Sequence, residues 1–211
     1  MVRTDRKALR ALLLIGLVAA ATAADTAGPS PERMDDALRR SFSNATPEEW
    51  KTRLDQDRSQ ALCSQHRNAP PPEIAAAIVG EAKASLRYPA DGKLLGDWRK
   101  GEQIALISGG GQISRLAPDR AANRGGNCYA CHALSPREVA AGNLGPSLTG
   151  YAKVRGSSEA SVRYTYEKIF NAQAYLACSF MPRFGHNGWL TPEQVADVAA
   201  FLLDPQSPVN R

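Results

Sequence analysis

The chain has few of the residues that commonly bind metals or carry redox chemistry. Its 211 residues include four cysteines, three histidines and three methionines. Only one cysteine pair has the short spacing of a metal or redox motif, and a structural zinc site would need a second ligand pair, so this class of site is excluded. No alternation of apolar and polar residues is longer than about four residues, which argues against a β-sheet protein. These scarcities leave a helical chain with very few positions for metal chemistry.

The only long apolar stretch lies at the N-terminus. A basic segment at residues 3–10 precedes an apolar run at 11–20, and residues 21–23 offer a small-residue cleavage site. This pattern predicts a secretory signal peptide at 1–23 and a periplasmic protein, with an uncleaved membrane anchor as the alternative. No later segment is apolar and long enough to predict a membrane span.

Most of the net positive charge of the chain comes from this segment. It carries four of the 26 Lys and Arg residues and one of the 21 Asp and Glu residues. The remainder therefore has a net charge of about +2, against +5 for the whole chain. A nucleic-acid-binding protein usually has a clustered basic face, so we predict no nucleic-acid partner.

Cys128-Tyr129-Ala130-Cys131-His132 is the pattern of covalent attachment of one c-type haem. The two cysteines would form thioethers to the haem vinyl groups, and the histidine would ligate the iron. A redox dithiol is an alternative interpretation, but it does not need the histidine that follows. Export agrees with the haem interpretation, because c-type haems are attached in the periplasm.

Met181 is the predicted ligand on the opposite face of the iron. Only Met34 and Met181 lie beyond the signal segment, and Pro182 would make the loop of Met181 rigid. His186 and His66 are alternative ligands, and a Met that only fills the core is a further interpretation. His/Met ligation leaves no open iron position, which favours electron transfer over a haem enzyme such as a peroxidase.

The Gly145-Pro146 loop is the candidate partner of His132. A carbonyl oxygen of this loop could accept a hydrogen bond from the outer ring nitrogen and so orient the imidazole. An ordinary Gly-Pro turn is the alternative.

Apolar spacing and capping residues predict five helices in an all-α chain with long loops. The first runs from Thr46 to about His66, and the second covers residues 74–86 and ends near Tyr88. The third runs from Asp97 to the glycines at 109–111. The fourth begins at Ser157 or Ser158 and has a face that includes Phe170, and the last runs from Thr191 through Leu202. Residues 24 to about 45 are predicted to be a loose leader. Residues 24–95 thus form an N-terminal extension with two helices.

The order of the haem motif, the Gly-Pro loop, the Met-Pro loop and the capped last helix resembles the class I cytochromes c. Gly101 and Phe201 match the positions where the first and last helices of that family cross. The resemblance implies a cytochrome c domain over residues 96–211.

Four segments resemble a narrower family, the SoxX subunits of SoxAX sulfur-oxidation complexes. They are Gly96-Asp97-Trp98-Arg99-Lys100-Gly101, Gly125-Gly126-Asn127 with the haem motif, Gly145-Pro146-Ser147-Leu148 and Met181-Pro182-Arg183-Phe184-Gly185.

The SoxX resemblance implies a monohaem subunit paired with a SoxA-like subunit that holds the catalytic cysteine. The complex, an L-cysteine S-thiosulfotransferase, couples thiosulfate oxidatively to a cysteine of the SoxYZ carrier and passes electrons to a small cytochrome c. We expect no catalytic residue and no activity in this chain alone. A free-standing electron carrier is the alternative. The long extension departs from shorter relatives.

Cys63 and Cys178 lie outside the haem motif. In an oxidising compartment the simplest expectation is that they pair. Two buried free thiols, or a bond to another chain, are the alternatives.

Overall fold

A computed structural model describes residues 28–107, 125–138 and 140–211. The predicted signal peptide and the glycines at 109–111 lie outside these residues. Across the described ranges the protein is helical and has no strand, which confirms the all-α prediction. The α-helices there are α1 (Pro31–Ser41), α2 (Pro47–Glu49), α3 (Arg58–Gln65), α4 (Pro72–Ala84), α5 (Trp98–Leu106), α6 (Tyr151–Arg155), α7 (Glu159–Phe170) and α8 (Pro192–Leu203). None of these helices is long and apolar enough to cross a membrane.

The chain divides into two compact units, Met1–Asn44 and Ala45–Arg211. In the first unit, the prediction of a loose leader is wrong for helix α1. The Ser30 side chain caps this helix, and Asp35 pairs with Arg39 one turn later at 2.7 Å. None of its residues is buried. Capping and charge pairing support this helix, and its short apolar face of Met34, Ala37 and Leu38 is exposed.

The second unit begins with a helix that the sequence predicted to be continuous to His66, and this prediction is wrong. Helix α2 continues as a π-helical turn at Trp50–Leu54 and stops there. Asp55 is extended, and Asp57 begins α3 with a complete capping box to Gln60. The strong N-cap at Asp57 satisfies the first N–H groups of a new helix, so the chain breaks before it.

Helices α4 and α5 both end earlier than predicted. Helix α4 ends at Ala84 and not near Tyr88, and α5 ends at Leu106 because Ile107 takes an extended conformation. Helix α5 thus ends before the glycines at 109–111, where the sequence placed its end. Helix α7 starts after its N-cap Ser158 and helix α8 after its N-cap Thr191, as predicted.

Helices α5 and α8 cross at Gly101. A Cβ atom on Gly101 would lie 2.0 Å from the carbonyl oxygen of Asp197 and 2.9 Å from Cβ of Phe201. The two backbones are therefore too close for any other residue at position 101. This contact confirms the predicted crossing of the first and last cytochrome helices.

Helices α5, α7 and α8 enclose the main apolar core. Tyr166, Val195 and Ala199 are completely buried in it. The end of the extension is bonded to α7, since the Tyr166 hydroxyl donates to the carbonyl oxygen of Arg87 at 2.8 Å. The end of the extension is therefore held against the helices of the core.

Candidate haem site

The two cysteines of the motif lie on one tight turn. Residues Cys128–Ala130 form a single 3₁₀ turn, and the N–H groups of Cys131 and His132 both donate to the carbonyl oxygen of Cys128, at 3.1 and 2.9 Å. This turn brings both thiols and the imidazole into one short segment. The spacing read from the sequence thus corresponds to a compact group of three potential haem-binding side chains.

The end of α5 anchors the turn from one side. The N–H of Gly126 donates to the carbonyl oxygen of Ile104 at 2.7 Å, and that of Asn127 to Ile107 at 3.1 Å. Asn127 has a φ of 48°, a left-handed conformation that Asn tolerates better than most residues. The motif is therefore fixed to the same helix that crosses α8.

The glycine-rich loop after the motif packs on it from the other side. The N–H groups of Gly142 and Gly145 donate to the carbonyl oxygens of Tyr129 and Cys131, at 2.9 and 2.8 Å. A Cβ atom on Gly145 would lie 2.1 Å from Cε1 of His132. A larger residue at position 145 would thus displace the imidazole ring.

His132 has a hydrogen-bond partner in this loop. Its Nδ1 atom lies 2.7 Å from the carbonyl oxygen of Pro146. A carbonyl oxygen can only accept, so Nδ1 carries the proton and Nε2 keeps the lone pair that a metal needs. Gly145 and Pro146, predicted as cofactor-binding residues, act here through their contacts with His132.

An apolar cavity brings Cys128, His132 and Met181 together. All three side chains line it, and its remaining lining residues are Ala105, Leu134, Leu148, Ile169, Phe184, Leu190, Val198, Phe201 and Leu202. A thiol, an imidazole and a thioether in a carbon-lined cavity suit a His/Met-ligated c-type haem. Cys131, the second cysteine of the motif, is not among the lining residues and lies three residues along the same turn. The residues present therefore fit this group.

The thiol of Cys128 does not have the character of a redox nucleophile. Burial, followed by the neighbouring Cys131, raises its pKa to about 12. A catalytic dithiol instead lowers the pKa of its attacking cysteine so that a thiolate forms near neutral pH. This electrostatic environment argues against the redox alternative.

The loop of Met181 is attached to the end of α7. The N–H groups of Gly185 and His186 both donate to the carbonyl oxygen of Phe170, at 3.0 and 3.1 Å. Met181 itself packs against the main core and is partly buried. The loop thus places the thioether on the cavity wall.

The two alternative histidine ligands are not on this cavity. His186 Nε2 lies 3.8 Å from Asp57 Oδ2, and His66 is at the C-terminal cap of α3. Burial and then the charge of Arg183 lower the pKa of His186, although Asp57 partly offsets them.

Asp57 and Arg183 form an ion pair that the sequence did not predict. Arg183 Nη2 lies 2.7 Å from Asp57 Oδ2, and the arginine side chain is only 9% exposed. The Asp57–Gln60 spacing does indicate a helix cap, but nothing in the sequence identifies an arginine so far along the chain as its partner.

Cys63 and Cys178 are joined by a disulfide with an S–S distance of 2.10 Å and a Cα–Cα distance of 5.4 Å. Ile78, which is completely buried, packs against them in a small core of their own. The disulfide connects α3 to the segment that precedes Met181.

Two comparisons with known proteins bear on this site. Residues 119–205 match the family described as "Cytochrome c", a range that contains the haem motif, both predicted ligands and Cys178. The chain is also similar to an "Uncharacterized lipoprotein" of Aquifex aeolicus (strain VF5). The two are 43% identical over 157 residues, which cover 74% of this chain and 73% of the relative.

Proposed function

The chain belongs to the cytochrome c family, and from that premise we propose that it is an exported electron-transfer protein with one haem c. Cys128 and Cys131 would hold the haem covalently, and His132 and Met181 would be its axial ligands. The observation that carries this proposal is that His132 and Met181 line the same apolar cavity. The Nδ1 atom of His132 is bonded to Pro146, which leaves its other ring nitrogen for the iron.

When bound, the haem supplies a one-electron iron couple. The side chains around it would set the properties of that couple. The Pro146 carbonyl oxygen orients His132 and increases the basicity of its free nitrogen, while the Met181 thioether favours the ferrous state. The apolar lining excludes water, which also favours the form of lower charge.

We further propose that the electrons come from thiosulfate, in a complex of the SoxAX type. The four SoxX-like segments support this proposal, and all four lie in described parts of the structure. In the proposed reaction, a carrier cysteine thiol and thiosulfate form a sulfur–sulfur bond with loss of one proton and two electrons. A SoxA-like subunit would perform this chemistry on SoxYZ. The present chain would pass the electrons singly to a small cytochrome c.

Export to the periplasm is supported by three observations. The N-terminal segment has the composition of a signal peptide. The Cys63–Cys178 disulfide is chemistry of an oxidising compartment. The similar protein from Aquifex aeolicus is described as a lipoprotein.

Co-purification followed by an electron-transfer assay tests the proposed role. The chain would be produced with haem attachment in the periplasm, alone and together with a SoxA-like subunit. We expect stable co-purification and thiosulfate-dependent reduction of a small cytochrome c only when both subunits and SoxYZ are present. A haem-loaded chain that neither binds the partner nor supports this reduction would instead be a free-standing carrier.

A further inference from the structure

Helix α3 is linked to the Met181 loop on both sides of the methionine. Cys178, three residues before Met181, is bonded to Cys63 of α3. Arg183, two residues after Met181, is paired with Asp57, the residue that caps α3. One short helix of the extension therefore holds both flanks of the predicted ligand.

The link through Arg183 joins a buried group to a partly exposed one. The Arg183 side chain is 9% exposed, and that of Asp57 is 42% exposed. A buried guanidinium strongly requires a charged partner, so the arginine is held where Asp57 lies. Because Asp57 also accepts from the N–H of Gln60 at 2.9 Å, the carboxylate is itself fixed at the start of α3.

The disulfide lies at a residue with an unfavourable backbone conformation. Cys178 has a φ of 57°, in the left-handed region that glycine favours. The next part of the loop adds little support, since Phe180 is 87% exposed and the N–H of Met181 reaches only the Ser179 hydroxyl, at 3.3 Å. Apart from its packing against the main core, the position of Met181 therefore depends on its two flanks.

We propose that Asp57 and Cys63 are positioning residues for the iron ligand Met181. Together they make the N-terminal extension part of the haem site, although neither residue lines the haem cavity. This inference rests on the proposed role of Met181. Loss of one link raises the fraction of molecules in which the thioether has left the iron, and loss of both links raises it further.

Competition with imidazole measures that fraction. In the haem-loaded ferric protein, the apparent affinity for added imidazole scales with the fraction in which Met181 is displaced. Asp57→Asn keeps a good helix cap but removes the charge that pairs with Arg183. Asp91→Asn is the matched control, because Asp91 forms an exposed ion pair with Lys93 at 3.3 Å in the same extension.

We expect Asp57→Asn to raise imidazole affinity by about tenfold and Asp91→Asn to leave it unchanged. The double change Cys63→Ser with Cys178→Ser should raise the affinity as well. Combining it with Asp57→Asn should give the largest increase and weaken the red absorption band of Met ligation. Far-UV circular dichroism would show whether each variant is folded.

A second measurement avoids variants that do not fold. In the wild type, the disulfide would be reduced, its two thiols alkylated and the iron reoxidised. The same titration would follow, and a rise in imidazole affinity supports the inference. Wild-type affinity in both the combined variant and the alkylated protein would overturn it. A wild-type protein without the red band would instead contradict Met181 ligation itself, so the band separates failure of the proposed ligation from failure of this inference.

Discussion

The Nδ1 atom of His132 and the carbonyl oxygen of Pro146 are 2.7 Å apart. This single contact determines which ring nitrogen remains available to a metal. It also depends on Gly145, whose missing side chain leaves room for the ring. A loop that looks like an ordinary turn thus determines the chemistry of the histidine.

Gly145→Ala should alter the iron site. The added Cβ would lie 2.1 Å from His132 Cε1, so the ring must move away from Pro146. A weaker hydrogen bond at Nδ1 makes His132 a poorer electron donor, and we expect a higher reduction potential of the haem-loaded protein. Redox titration measures this change.

Gly80→Ala is the matched control for that substitution. Gly80 lies inside helix α4, and an added Cβ would meet no atom within 4 Å. The variant should keep the wild-type potential and gain up to about 1 kcal/mol in the free energy of unfolding. An unchanged potential in both variants would contradict the assigned role of the Gly145-Pro146 loop.

Gly101→Ala should destabilise the helix crossing. Its Cβ would lie 2.0 Å from the backbone oxygen of Asp197, which cannot move without separating α5 from α8. We expect a loss of about 1–3 kcal/mol or more in the free energy of unfolding, measured by denaturant titration. Stability equal to wild type would show that the two helices do not cross at this position.

Removal of the disulfide should lower stability. The bond joins residues separated by 115 positions, so its loss frees a long loop in the unfolded chain. We expect Cys63→Ser with Cys178→Ser to lower the free energy of unfolding by about 2–5 kcal/mol. Mass spectrometry of the unreduced wild type should find no free thiol at either position, and two free thiols would contradict the bond.

Stability should fall on acidification in two steps at Asp57 and His186. Burial lowers the pKa of His186, Arg183 lowers it further and Asp57 opposes them. The contribution of the neutral imidazole to folding stability is therefore lost as pH falls below the unfolded pKa of about 6.5. Burial opposes the shift at Asp57, but the Gln60 N–H and Arg183 lower its pKa overall. Its contribution is present above the unfolded value of about 3.9 and is lost as pH falls through the lower folded pKa.

Single substitutions separate the two steps. Unfolding experiments across the acid range should show that His186→Gln removes the first loss and Asp57→Asn the second. If both variants keep the complete acid profile of the wild type, other groups cause it.

Local signals in the sequence predicted the elements that depend on local interactions. The Thr191 and Gln194 capping box marked the start of α8. The helix crossing at Gly101 is not local, and it was expected from the resemblance to the class I cytochromes c. The ion pair of Asp57 with Arg183 could not be predicted, because its two members meet only after the chain has folded. Helix α1 was missed for another reason: its apolar stripe of Met34, Ala37 and Leu38 is short, buries nothing and lies in a segment rich in Pro, Ser, Asp and Arg.

The most direct test of the account is the red absorption band of the ferric, haem-loaded protein in two methionine variants. Met34 is exposed on α1, so Met34→Ala should retain the band. Met181→Ala should lose it while the haem stays attached through Cys128 and Cys131. A band that persists in Met181→Ala, or that is absent from the wild type, would contradict His/Met ligation.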